Sequence, residues 1–334
     1  MRLLVVFGLG ALYGLAMRLA FGSRWLDHGA GHLATGPMLG AFVVLVPVLI
    51  GVFTVHAVRR RPPGLAFAVF APWVPTICFA IGTGVVLIEG SICIVMALPI
   101  FCVVSSLGGL LCWVVLKFVD VPQGGVNALL LLPLLLAWPE SQQPLPQALQ
   151  RSAEAVHIAA PPSVVWGLIN NATAIRPDEM RDGLAYRIGL PYPVEAVTRQ
   201  TAAGRVRKLR WGGGVAFDEP ITAWEENRSI AWTYAFAPDS FPPGTLDEHV
   251  VIGGRYFDLV DTSYRLVPEN GGTRLEIVVD YRVSTHFNWY AAAVGRLLVD
   301  DAARTILRFY QRRAEAGGNA VLRPTAQAPS PGGG

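Results

Sequence analysis

The sequence predicts two parts. An N-terminal bundle of membrane-crossing α-helices comes first. An α+β domain follows, in which antiparallel strands are closed by one long C-terminal helix. Three observations lead there. Of 334 residues only 15% are charged and 52% are hydrophobic, with a mean hydropathy of +0.43, whereas a soluble chain carries about 25% charged residues. The shortfall lies in residues 1–150, which hold 7 of the 27 Lys+Arg and 4 of the 24 Asp+Glu. Beyond residue 193 the apolar pattern changes to period two between short turns, and a helical period takes over from 288 to 316.

Five apolar runs make up the first part. Residues 3–20 have no small-x-small cleavage site after them, so they read as an uncleaved helix rather than a signal peptide. Residues 38–58 end on Arg59-Arg60-Arg61-Pro62-Pro63. Residues 65–88 are bent by Pro72 and Pro75, and residues 91–116 end at Lys117. Each of these four has the roughly 18–20 residues that cross a hydrocarbon core. The fifth, 124–138, has Pro133 in its middle and would span only about 22 Å as a helix, against a core of about 30 Å. Its leucine run and Trp138 favour crossing. With the N-terminus inside, Arg2, Arg59, Arg60, Arg61 and Lys117 face the cytoplasm while Arg18 and Arg24 face out, which is the favoured cationic bias. Five crossings then put the C-terminal domain outside the cytoplasm of a bacterial inner membrane; four would leave it inside. Gly84 and Gly108 permit close helix contact. Glu89-Gly90 reads as a turn. His28 and His32 sit four apart, but the glycines between them argue for a solvated loop rather than a metal site. Nothing resembles an ion path.

The expected domains are a transmembrane region 1–138 of four to five helices, a Pro-rich linker 139–150, the α+β domain 151–316 and a disordered Ala/Pro/Gly tail 317–334. Residues 151–334 hold 20 basic and 20 acidic residues. The pI of about 8.7 is therefore no argument for nucleic acid, and the basic run Arg205–Arg210 reads as a solvated strand face. The four cysteines, Cys78, Cys93, Cys102 and Cys112, all lie in apolar stretches without CxxC spacing, so buried free thiols are expected.

In the second part Val156 and Ile158 end a strand, Pro161-Pro162 stop it, and Pro162 opens a helix carrying Val165, Leu168 and Ile169. Strand runs follow at 194–201 and 205–211 about Ala203-Gly204, at 216–224 and 229–236, and at 256–266 and 273–283 about Pro268–Gly272. Connections this short imply antiparallel pairing. Residues 238–254 have no period and form a lid candidate. In the last strand Leu275, Ile277, Val279, Tyr281 and Val283 share one face. On the closing helix Leu298, Ala302 and Ile306 are expected to face the sheet.

The stretch Val156-x-Ile158-x-Ala160-Pro161-Pro162-x-x-Val165-Trp166 resembles the opening of the SRPBCC superfamily, also called START-like or polyketide cyclase and lipid-transport-like. Gly183–Tyr186, Pro193–Ala196, Glu219–Trp224 and Gly272–Leu275 are similar to a membrane-anchored bacterial subgroup of it. The resemblance covers residues 151–316. It implies a helix-grip fold, a curved antiparallel sheet around the long C-terminal helix, with an apolar cavity between them. It implies no reaction.

The candidates for lining such a cavity are Trp224, Trp232, Tyr234, Tyr264 and Tyr281, with Asp258 and Thr262 as polar groups and Gly295, Leu298 and Ala302 from the helix. Large aromatics in a sheet also serve as plain core. No nucleophile elbow, zinc motif, phosphate loop or nucleotide fingerprint is present, and His157, His249 and His286 are scattered. Asp218 and Glu219 are adjacent, so in a strand they face opposite sides. No catalytic residue, metal or cofactor is therefore assigned. The expected partner is a hydrophobic small molecule or lipid, beside a membrane and without nucleic acid. The alternatives are a cyclase- or hydrolase-type enzyme using the same cavity, or a protein-interaction module on a membrane stalk; no protein partner is legible.

Overall fold

The structure, a computed structural model, describes residues 2–23, 36–60, 63–202, 204–247 and 249–321. His28, His32, Arg24, Arg61, Ala203 and the tail from 322 lie outside the described residues. The chain divides into two compact units. One holds residues 1–149, 246–258 and 282–295; the other holds 150–245, 259–281 and 296–334.

The first unit is built on helices α1 (Arg2–Phe21), α2 (Val46–His56, preceded by a π-helical turn Ala41–Leu45), α3 (Leu65–Phe70), α4 (Trp73–Val85), α5 (Ser91–Phe118), α6 (Gln123–Asn127) and α7 (Leu132–Ser141). Among the described residues three stretches are long and apolar enough to cross a membrane: Leu3–Phe21, Leu65–Val85 and Ser91–Phe118. Ala41–His56 and Ala128–Ser141 are shorter apolar helices. α2 and α5 meet backbone to backbone. A Cβ on Gly108 would lie 2.1 Å from the Val48 carbonyl oxygen, and one on Gly51 2.0 Å from that of Ser105. Only glycine allows this approach, as expected for Gly108. At Gly84 the neighbour is merely the Ile94 side chain.

Polar contacts fix the ends of this unit. The Glu140 carboxylate, at the end of α7, accepts the backbone N–H groups of Gly40 and Ala41 at 2.6 and 2.8 Å. Arg18, in the last turn of α1, pairs with Glu89 in the turn after α4. At the opposite ends, His56 bonds the Val121 carbonyl at 3.1 Å and Trp113 donates to that of Pro63 at 2.9 Å. Residues 123–141 therefore run the length of the unit, although a 3₁₀ turn at Ala128–Leu131 interrupts them.

The second unit contains most of an eight-stranded antiparallel sheet. Its strands are β1 (Gln147–Ile158), β2 (Asn171–Ala172), β3 (Pro193–Thr201), β4 (Gly204–Trp211), β5 (Ala216–Glu225), β6 (Ser229–Thr233), β7 (Phe257–Glu269) and β8 (Gly272–Ser284). Their order is β1-β8-β7-β6-β5-β4-β3-β2, a meander whose first strand pairs with its last. β1 begins inside the stretch read as a linker. Register shifts between Pro193 and Glu195 and between Ile221 and Ala223 bend the strands, and the sheet curls into a half-barrel. The β7–β8 turn is Asn270-Gly271, with φ of 50° and 75°, the left-handed pair that a two-residue hairpin requires.

Helices α8 (Pro162–Asn170), α9 (Pro177–Met180) and α10 (Leu184–Arg187) lead into β3, and α11 (Asn288–Val321) closes the chain. A curled antiparallel sheet with a long C-terminal helix is the helix-grip arrangement. The phase of α11 departs from expectation. Ala303, Leu307, Phe309, Tyr310 and Ala314 are buried, whereas Leu298, Ala302 and Ile306 are only half-buried. The reason is a second contact surface. Thr305 approaches Gly183, and Asp301 accepts the Ala185 N–H at 3.0 Å, so the buried arc widens toward α9 and α10.

Candidate functional site

The inner face of the sheet is set by strand alternation. On β4, Arg207 and Leu209 are buried while Lys208 and Arg210 point out, where they pair with Asp218 and Glu195. On β5, Phe217 and Glu219 are buried and Asp218 lies on the outer side. The basic run is thus a solvated face only in part: Arg207 belongs to the interior. The β4–β5 register sets Arg207 opposite Glu219.

Every part of the Arg207 guanidinium is engaged. Nη1 donates to Glu219 Oε2 at 2.6 Å, Nη2 to the Tyr310 hydroxyl at 3.1 Å, and Nε to the Ile169 carbonyl at 3.3 Å. Its plane lies 4.9 Å from the Trp232 ring. Both side chains are at most 5% exposed. Burial opposes both charges and their mutual attraction favours both. For Arg207 burial is the largest single influence, but Glu219 together with Tyr310 and Tyr264 outweighs it and holds the cation. For Glu219 burial dominates, and its carboxyl is pushed up to about 7. Tyr264 packs at 5.3 Å from Trp232 and at 5.9 Å from Tyr310. Burial raises Tyr234, Tyr264 and Tyr310 above the usual phenol range, so all three remain protonated donors.

A second group adjoins through Tyr234, whose hydroxyl shares a hydrogen bond of 2.7 Å with Thr262. Phe217 is the hub. Trp211, Phe236, Tyr234 and Phe241 surround it with ring centroids at 5.3, 5.3, 6.2 and 6.3 Å. Phe241 is held there by the loop after β6: the Ser240 carbonyl accepts the Ala216 N–H at 3.0 Å, and the Ser240 hydroxyl accepts the Ala237 N–H at 2.9 Å. Phe217 is buried, but the four rings around it are only half-buried. The Trp211 indole N–H is buried and has no hydrogen-bond partner among the described residues. Half-buried rings beside a free donor and a buried polar network can hold an apolar body and orient one polar group on it.

Of the residues expected from the sequence, Trp232, Tyr234, Thr262 and Tyr264 come together here. Trp224 does not join them; it packs on Trp166 at 4.7 Å and under Arg205 at 4.1 Å. Tyr281 is fully buried on β8, and Leu298 and Ala302 are half-buried on α11. Asp258 and Gly295 belong to the first unit, where Asp258 lies 3.8 Å from Arg282. Residues 238–254 carry no regular structure and divide between the units after Thr245. An open pocket of about 830 Å³ lies at the β5–β6 turn, lined by Pro162, Glu226, Arg228, Arg265 and Pro268; its polar rim suits an apolar ligand poorly. Sequence reading missed Arg207, Glu219, Tyr310, Phe217, Phe236 and Phe241. One signal was available. Pairing β4 with β5 about Gly212–Gly214 sets a cation opposite a carboxylate on the face of Leu209 and Phe217.

No family model matches the chain, and no curated protein does. Solved structures are similar over half of it. They include the di-domain ARO/CYC BexL from the BE-7585A biosynthetic pathway (15% identity, 50% of each chain, TM-score 0.32). A START superfamily protein from Mycobacterium smegmatis aligns at 15% identity over 50% of this chain and 97% of its own, with a TM-score of 0.33. The protein XoxI from Bacillus cereus does so at 14% over 50% and 97%, with a TM-score of 0.29. The alignment thus spans half the length of BexL. The neighbours of this chain in structure are START-like and ARO/CYC proteins, at low identity and over half its length.

Proposed function

We propose that this protein binds a hydrophobic, lipid-like or polycyclic molecule on the inner face of its helix-grip sheet, and that its N-terminal helices anchor it in a membrane. One observation carries the reading: half-buried rings around Phe217 lead through Tyr234 into a network that exposes almost no polar surface to water. The rings suit an apolar body, and the Trp211 N–H suits one carbonyl or hydroxyl oxygen on it. The three helices among the described residues that are long enough to cross a bilayer favour anchoring beside a source of such ligands. Removing apolar surface from water contributes roughly 25 cal/mol per Å², enough for micromolar affinity after the costs of association.

The test uses the full chain in nanodiscs, titrated with a fluorescent fatty acid and a fluorescent sterol, alongside native mass spectrometry for a co-purifying lipid. Saturable binding of one probe is expected, weakened about tenfold by Phe241→Ala, since losing part of a buried Phe costs about 1.5–3 kcal/mol and 1.4 kcal/mol is tenfold. Binding that Phe241→Ala leaves untouched counts against the site. A second, enzymatic reading is favoured by Glu219 alone. A buried carboxyl titrating near neutrality is suited to general acid–base work. Chemical conversion of a bound molecule that Glu219→Gln abolishes would select that reading.

A further inference from the structure

Within the first unit, five ionisable side chains converge from four segments. Arg18 comes from the end of α1, Glu89 from the α4–α5 turn, Cys93 from the first turn of α5, and Asp247 and His249 from the segment 246–258. Ligating atoms of Glu89, Cys93, Asp247 and His249 all lie within 4.8 Å of one another. His249 is buried and the other three are half-buried, with side-chain exposure of 13% for Glu89 and 8% for both Asp247 and His249.

Its hydrogen bonds fix the donors. Asp247 Oδ2 accepts the Gly90 N–H at 2.8 Å, capping α5 from outside the helix. Asp247 Oδ1 accepts the His249 N–H at 3.0 Å and meets His249 Nδ1 at 2.7 Å. Arg18 holds Glu89 Oε1, leaving Oε2 turned toward His249 Nδ1 at 3.8 Å. The other ring nitrogen, His249 Nε2, is buried and has no hydrogen-bond partner among the described residues.

We propose that Glu89, Cys93, Asp247 and His249 bind one divalent transition-metal ion of the zinc class. A thiolate, an imidazole and two carboxylates form a borderline-soft set that suits zinc and disfavours magnesium or calcium. Tetrahedral zinc, with bonds of about 2.0 Å to N and O and about 2.3 Å to S, holds its donors roughly 3.3–3.5 Å apart. The cluster reaches that spacing by small side-chain shifts. Arg18 orients the Glu89 carboxylate, as outer-shell groups do around metal ligands. The thiol ligates as a thiolate and the imidazole in its neutral form, so metal binding releases protons and strengthens as pH rises.

The experiment takes the full chain in detergent, strips it with a chelator and titrates it with Zn²⁺ and Co²⁺. About one equivalent is expected to survive gel filtration. The Co²⁺ form should show a thiolate-to-cobalt charge-transfer band that Cys93→Ser removes. His249→Gln and Glu89→Gln should each weaken binding at least about tenfold. Should Cys93→Ser fail to fold, a variant with Cys78, Cys102 and Cys112 all changed to Ser must keep the band. Absence of the band from the wild-type protein in excess Co²⁺, or its loss in that triple variant, overturns the proposal and leaves a hydrogen-bonded latch.

Discussion

At the scale of residues, Arg207 and Glu219 govern how the interior of the second unit responds to pH. Glu219 binds its proton more tightly in the folded chain, at about 7, than at its ordinary value of 4.5. Its contribution to stability is full below about pH 4.5 and is lost as pH rises toward 7. The melting temperature of the helix-grip transition should therefore fall across that window in the wild type and stay flatter in Glu219→Gln, as a pH series of thermal melts would reveal. Arg207→Met should cost about 3–5 kcal/mol at neutral pH by leaving the carboxylate uncompensated, and adding Glu219→Leu should restore much of it. Little of this was legible in the sequence. A run of four basic residues within Arg205–Arg210 carries no mark of which one turns inward. That depends on the strand's parity against Leu209 and on a partner twelve residues away. The aromatics were easier, because Trp232 and Tyr264 fall on inward positions of β6 and β7, and Tyr234, just past the end of β6, keeps the same parity.

At the scale of elements, β4 and β8 differ by a residue or less at each end from the runs read in the sequence, since period two and Asn-Gly turns are local signals. The start of α11 was legible, but its end was not, since the helix runs on past Ala316 to Val321, and neither was its rotation. A helical wheel weighs apolar residues alone, and the docking of α9 and α10 on its flank is not local information. The structure sets the buried ridge at Ala303, Leu307, Tyr310 and Ala314, with Leu307 only 1% exposed. Leu307→Ala should thus cost about 2–5 kcal/mol, while Leu298→Asp, at a half-buried position, should cost less than Leu307→Asp. Thermal melts of the three variants check the order; equal losses for the two Asp variants would contradict the assigned phase.

At the scale of the whole molecule, the first unit bears on how often the chain crosses a membrane. Glu140 meets residues 40–41, at the end of the unit where Arg18 meets Glu89, while His56, Lys117 and Val121 gather at the other. Under a membrane reading this arrangement favours five crossings. Alkaline phosphatase fused at Gln142 should then be active and green fluorescent protein dark, the reverse meaning a cytoplasmic second part. From sequence this fifth stretch read as a crossing on the strength of its leucine run and Trp138, despite its shortness; the structure extends the helical path from Gln123 to Ser141. The cap on α5 adds a matter of timing. Gly90 and Asp247 are 157 residues apart, and chains are synthesised at about 5–20 residues per second. For about 8 to 30 seconds after Gly90 is made, the first turn of α5 exists without the carboxylate that completes it. Glu89 and Cys93 meanwhile stand open to whatever cation or thiol reagent reaches them first.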